Sequence, residues 1–411
     1  RTCLEVLEYF YPRAEGGVAE RLAHHRLGAG MLDEAVDALL EAGRQNYAGL
    51  AMTKATYRLA ILAERAMNEL GAPADDPRWV SLWTVLGWGH IYDDQARATD
   101  YFDRAEAHAA PGHHALDLAE VARGRAFIAS NLGELERSVE HQRQAYRHYE
   151  SLGDTTGMFK CLTSLGTCKS YQGDDEAAFE FFELALERFG TDRELDSRWV
   201  CECLRGLGSA WKIRGQPEKA HLALEKALAL AEGDAPEARM LIHTDLGELA
   251  RVRGDYLQAE RHFRTSWKSH RETGAPNQHL AALNLAIALI LQERYEDAHY
   301  LAIEAQEGLE AQGPMGYIGV AYAVLLSCAA GLGEWDLWDR YYDSGRGPLE
   351  KTPIVEDDFG WATEYAADLA RRAGQGERAR RAYRLAAIQW EPLNKNHAER
   401  LRERSTLIPS P

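Results

Sequence analysis

Small residues recur about every 40 positions through most of this chain, and a sequence with that periodicity has to stack copies of one supersecondary unit. The first column runs Ala35, Ala98, Ser138, Ala178, Ala220, Ala259, Ala298, Trp338 and Ala379. After the opening interval of 63, its spacings are 40, 40, 42, 39, 39, 40 and 41 residues. Seven residues later stands a second column: Ala42, Ala105, Ala145, Ala185, Ala227, Ser266, Ala305, Gly345 and Ala386. Five residues before the first lies a third: Gly30, Asp93, Gly133, Gly173, Gly215, Gly254, Glu293, Gly333 and Gly374. Glycine supplies only 35 of 411 residues, so seven glycines among nine positions mark a structural demand.

That demand is a helical hairpin. A glycine free to take positive φ ends the first helix, and an acidic residue just after it (Asp174, Asp255, Glu134, Glu334) suits the start of the second. Leu39, Phe102, Phe182, Leu224, Phe263, Tyr342 and Tyr383, four residues past the small column, share its face of the second helix. In the first helix, Leu-Gly pairs such as Leu165-Gly166, Leu207-Gly208 and Leu246-Gly247 mark the close approach between paired helices. Two positions break the pattern: Trp338 and Gly345 replace small residues in one repeat, and Gln142 stands in an aromatic slot.

Leu-Gly, a turn glycine, alanine, an aromatic and a second alanine resemble the tetratricopeptide repeat, whose ordinary period is 34 residues. The longer period here resembles the repeat regions of the bacterial maltose-regulon activator, the Rap regulators and kinesin light chains, over about Trp79 to Trp390. The resemblance implies an all-α fold, a right-handed α-α superhelix of about nine helical hairpins held by nearest-neighbour stacking. It also implies that the first helix of each hairpin lines the concave face.

Three segments follow: a helical junction over 1–71 with one degenerate repeat and an extra long helix from about Leu50 to Leu70, the array over 78–391, and a tail over 392–411. Ala72-Pro73-Ala74-Asp75-Asp76-Pro77 reads as a linker and Arg346 to Asp358 as the longest irregular connection. Ser405 to Pro411 is expected to fray. Leu4-Glu5-Val6-Leu7-Glu8-Tyr9-Phe10-Tyr11-Pro12 with the helices after it resembles the segment following an AAA-type or STAND-type ATPase module in large bacterial signalling proteins, sometimes itself behind a Ser/Thr kinase. That resemblance implies an enzyme upstream of Arg1.

A formal net charge of −17 argues against nucleic-acid or anionic-membrane partners, and no run approaches the roughly 18 apolar residues of a membrane span. Six cysteines in a chain this long point to a reduced, cytoplasmic setting. Motif by motif, catalysis finds no footing. No Gly-x-x-x-x-Gly-Lys-Ser/Thr occurs. Asp358-Phe359-Gly360 spells a kinase motif without its companions, and Cys201 and Cys203, two apart on a helix, point about 200° apart. His24-His25 and His113-His114 lack the spacing of a metal-binding helix. We therefore expect no enzyme, cofactor or metal within this chain.

The groove is the better candidate. Its inferred lining is Arg123, Phe127, Ser130 and Asn131, then Lys160, Thr163, Thr167 and Tyr171. It continues through Glu202, Arg205, Ser209 and Lys212 to Thr244, Glu248 and Arg251. Five basic against two acidic residues in an acidic chain fit an acidic protein segment, a peptide or a small anionic signal. The helix at Leu280 to Leu291 is apolar on nearly every position, which means burial or, with Trp335, Trp338, Tyr341 and Tyr342, a self-association surface. The expected function is a protein-interaction or ligand-sensing arm of a bacterial signalling protein, regulating an upstream ATPase or kinase. The alternatives are an oligomerisation scaffold, a free-standing adaptor, or a protein that uses Gln142 inside a partner's active site.

Overall fold

The computed structural model describes residues 17–46, 53–110, 112–192, 195–231, 236–273, 277–312, 315–351, 357–392 and 394–408. Among them all regular structure is α-helix, in 20 segments. The Leu4 to Pro12 run that carried the junction resemblance lies outside the described residues. The chain forms two compact units, residues 1–210 and 211–411.

In the first unit α1 (Gly17–Gly28) and α2 (Leu32–Asn46) make a hairpin, and α3 (Thr53–Leu70) is the extra helix, packed between α2 and α4. Then come the hairpins α4 (Arg78–His90) with α5 (Gln95–His108), α6 (Ala115–Asn131) with α7 (Leu135–Leu152), and α8 (Thr155–Tyr171) with α9 (Asp175–Phe189). The division between the units falls inside α10 (Ser197–Ile213).

The second unit continues with α11 (Pro217–Ala231), then α12 (Pro236–Val252) paired with α13 (Tyr256–Thr273), and α14 (Gln278–Ile290) with α15 (Tyr295–Gln312). After these come α16 (Met315–Leu332) with α17 (Trp335–Lys351), α18 (Asp357–Arg372) with α19 (Gly376–Trp390), and α20 (Lys395–Leu407).

Every member of both small columns is buried, Trp338 and Gly345 included. The turn column holds just as well, since all seven of its glycines have φ between 69° and 79°. Glu293 sits in the same left-handed turn at φ 59°, the sole non-glycine with positive φ among the described residues. Its backbone bonds repeat those of Gly133: Glu293 N donates to Ile290 O and Arg294 N to Leu289 O, as Gly133 N does to Ser130 O and Glu134 N to Ala129 O. Asp93 departs from the column. Its hairpin turns without positive φ, and Asp94 caps α5 by accepting from Arg97 N at 3.0 Å. Asp174 and Asp255 cap likewise, from Ala177 N and Gln258 N. Glu134 does not cap, because its carboxylate pairs with Arg137 instead.

The aromatic column explains the first-helix glycines. Phe102 lies so close to Gly87 and Gly124 that an added Cβ at either would fall 2.4 Å from its ring. Phe182 presses in the same way on Gly166 and Gly206, with 2.8 and 2.6 Å, and Phe263 on Gly247 with 2.6 Å. Each ring thus wedges against backbone where a side chain would force it out.

Three expectations need correction. Arg346 to Lys351 is not irregular: α17 runs through it despite Pro348, because Gly345 packs on Tyr322 and Leu349 is buried. Ser405 to Leu407 is not frayed, since α20 is capped by Asn394 and buries Ala398, Leu401 and Ser405. Gln142 is buried, so it cannot reach into a partner.

Candidate functional site

In the first unit one repeat coordinate carries alternating charge: Glu120 on α6, Lys160 on α8 and Glu202 on α10, 40 and 42 residues apart. Helical spacing then puts Arg123 one turn past Glu120. The two join: Arg123 donates through Nε at 3.2 Å and through a terminal nitrogen at 2.8 Å to Glu120 Oε2. Buried Tyr149 on α7 donates its hydroxyl to the other oxygen. The Arg123 guanidinium stacks over Trp88 at 4.4 Å, and Trp88 Nε1 donates to Glu120 O at 3.3 Å. The Lys160 amine sits 4.1 Å over Trp199, and Tyr92 meets Phe127 edge to face at 5.1 Å.

These groups act on one another electrostatically, and the place they border is called the recess. Burial opposes the Glu120 carboxylate, yet Arg123 and Lys160 together hold it below the ordinary range. Burial also opposes the Arg123 cation, and Glu120 more than restores it. Lys160, crowded by protein and by Arg123, is pushed down to about 8. Glu202 reaches solvent but is ringed by protein, and that partial desolvation raises its carboxyl despite Arg205, Arg123 and Lys160. The recess therefore offers two flat-backed cations, a fixed carboxylate and a second carboxylate that takes a proton readily.

The other lining residues of this unit divide. Arg205 is half-buried, and Thr167 bonds its own helix at Thr163 O. Thr163 is buried in the packing, while Tyr171 and Asn131 are exposed at helix ends. Trp88, Tyr92, Trp199, Glu120 and Tyr149 escaped the sequence reading. Glu120 was legible, as it stands 40 residues before Lys160.

In the second unit Lys212 and Glu248 pair with each other at 2.6 Å, and in the first Arg123 pairs with Glu120, so the basic excess expected from the sequence is smaller than its count of five against two. Thr244 bonds Ser266 Oγ at 2.8 Å. Glu248 and Thr244 line a cavity of about 190 Å³ with Leu280, Leu283, Asn284 and Tyr317. Arg251, at the end of α12, is half-buried. The apolar helix α14 is covered within this unit by α13, α15 and α16, and Trp338, Tyr341 and Tyr342 are buried too. Most of the surface expected there for self-association is therefore interior, while Trp335 is half-buried.

Other candidates close as sites. Cys161, Cys168, Cys201, Cys203 and Cys328 are buried and in no disulfide, and burial pushes the Cys161 and Cys203 thiols up to about 12. His114 is tied to Ala110 N and Pro77 O. Among the described residues no group of three or more His, Cys, Asp or Glu side chains gathers as a metal cage, and no helix is long and apolar enough to cross a membrane.

Against known proteins, the tetratricopeptide repeat profile matches residues 117–191 and 162–233, so this stretch consists of tetratricopeptide repeats. No curated protein matches the chain. Among solved structures, a Rap protein complexed with Competence and Sporulation Factor is similar at 15% identity and TM-score 0.62, over 90% of this chain and 99% of that one. NprR in complex with its cognate peptide NprX is similar at 16% identity and TM-score 0.52, over 87% and 97%. A STAND ATPase with a tetratricopeptide repeat sensor from Pyrococcus horikoshii is similar at 10% identity and TM-score 0.58, over 85% of this chain and 55% of that one. At these identities the likeness is one of fold: a helical-repeat solenoid.

Proposed function

We propose that this chain is a non-catalytic interaction and sensing arm, and that the recess of its first unit receives a peptide segment presenting an anionic group beside an apolar side chain. The carrying observation is Lys160 seated over Trp199 beside Glu202 and Arg205. A carboxylate entering there would take a charge-assisted bond from Lys160 or Arg205 while its neighbour packs on Trp199 or Phe127. The likeness to NprR with its cognate peptide, and to Rap with Competence and Sporulation Factor, supports a peptide or protein ligand. The likeness to the STAND sensor supports an arm that reports its state to a linked ATPase. A cytoplasmic setting, with a kinase as the alternative to the ATPase as the linked module, completes the proposal.

The test is a peptide array read by calorimetry against wild type and Lys160→Ala. Loss of one charge-assisted bond should weaken a true ligand about tenfold. Peptides that bind both proteins equally, or no binder among acidic peptides at all, would overturn the assignment of this recess.

A further inference from the structure

From Leu280 to Leu291 every side chain of the chain is hydrocarbon except that of Asn284. An asparagine in that run serves neither helix propensity nor packing. It is half-buried on α14, its carboxamide has no hydrogen-bond partner among the described residues, and it lines the cavity of about 190 Å³ in the second unit. Buried His270 of α13 lines the same cavity. Its Nδ1 lies 2.9 Å from Ser266 O, and because a carbonyl only accepts, Nδ1 carries the proton. In the neutral ring this leaves Nε2 as a bare acceptor, which no donor among the described residues meets. Ser266 Oγ links the ring to Thr244 Oγ1, at 3.3 and 2.8 Å, and so holds the imidazole in place.

We propose that this cavity binds an uncharged small molecule with a ring-sized apolar body and a primary-amide head. Leu241, Leu280 and Leu283 supply the apolar wall. A volume of about 190 Å³ exceeds the roughly 150 Å³ that encloses benzene, which leaves room for a small head. A carboxamide pairs with another amide by one bond in each direction, and the second N–H of a primary amide is the donor that the bare imidazole nitrogen lacks. Asn284 and His270 therefore favour an amide over an alcohol, which has a single proton to give. Charge is disfavoured as well: the one carboxylate on the wall, Glu248, is closed by Lys212 at 2.6 Å. An ion entering there would shed its water against leucine without a counter-charge. The recess of the first unit shares none of these residues, so this assignment stands or falls apart from that one.

The experiment titrates the nitrogen-labelled full chain with three probes of one shape, benzamide, benzoate and benzamidinium, and follows side-chain resonances by NMR at about pH 8, where an ordinary imidazole is neutral. We expect benzamide to move the Asn284 carboxamide and His270 ring signals, and to bind at least about tenfold more tightly than either ion. Asn284→Leu keeps the size of the side chain and removes its bonds, and should weaken benzamide about tenfold. Ala281→Leu crowds the cavity, leaves both polar groups in place, and should weaken it at least as much. Benzamidinium bound as tightly as benzamide would show that Glu248 is open to a cation, and would overturn the proposal, as would a preference for benzoate. Affinity unchanged in both variants, or no shift at Asn284 and His270 up to the solubility of benzamide, would leave the cavity a place for water only. Should a variant fail to fold, the wild-type shifts and the ranking of the three probes decide alone.

Discussion

The two units place opposite chemistry at one repeat coordinate. In the first, the positions read Glu120, Lys160 and Glu202; in the second, Leu241, Leu280 and Val320. The helices are built alike, with buried small columns and left-handed turns, so the scaffold does not choose the chemistry. In the first unit the charges satisfy one another around indole faces. In the second, Val320 is fully buried, and Leu280, on α14, packs against the hydrocarbon core at the edge of the cavity. The difference teaches that a repeat coordinate fixes where a side chain goes, and only its neighbours fix whether that place is a site or a core.

Removing one member from each unit should break the comparison most sharply. Glu120→Ala strands the Arg123 charge and should cost about 3–5 kcal/mol, whereas Leu283→Ala leaves only a cavity, at about 2–5 kcal/mol. Denaturant titrations of both variants measure the pair. A cost below about 1 kcal/mol for Glu120→Ala would mean that water already shares the recess charges.

Overpacking tests what the units share. Gly124→Ala and Gly247→Ala each drive a Cβ into a phenylalanine ring and should cost about 1–3 kcal/mol each, a similar loss in both units by thermal melting. A loss in one unit alone would show that the wedge is not a common device.

Acid and alkali should act on different units. His262, ordinarily near 6.5, is lowered to about 4, so between those values the unfolded chain binds a proton the folded one refuses. The second unit's stability is full above about pH 6.5 and falls as pH drops toward 4, by about 1 kcal/mol after solvent screening. Lys160 obeys the same sign higher up: its contribution is full above about pH 10.5 and lost as pH falls through about 8. Melting curves of His262→Gln and Lys160→Met, compared with wild type across pH, should flatten in one window each.

The smallest effect concerns the turns. Glu293→Gly removes left-handed strain and should stabilise the second unit by about 0.5–1 kcal/mol, while Asp93→Gly, where φ is not positive, should give no gain. Equal responses in calorimetry would show that the turn coordinate, and not φ, sets the cost.

Much of the fold was legible because its determinants are local and repeated. The turn column is written in glycine, and it held at Glu293 because Ile290, Leu289 and Arg294 supply the same backbone bonds. It failed at Asp93, where a neighbouring aspartate offers a rival cap. Pro348 and its flanking glycines read as a break in α17, but burial of Leu349 and the fit of Gly345 on Tyr322 outweigh local propensity. The recess was half legible. Lys160 and Glu202 follow from periodicity, but Tyr149 comes from the second helix of a hairpin and Trp199 from the start of α10, and neither shares the coordinate that drew attention to the groove.

The phenylalanine wedge has a consequence for how such a protein can be recombined. Phe102 touches a glycine of its own hairpin, Gly87, and one of the next, Gly124; Phe182 does the same with Gly166 and Gly206. A hairpin is therefore not a free-standing brick. Whoever transplants one must carry its ring together with a receiving glycine in the following hairpin, so the exchangeable module is offset from the repeat by half a period.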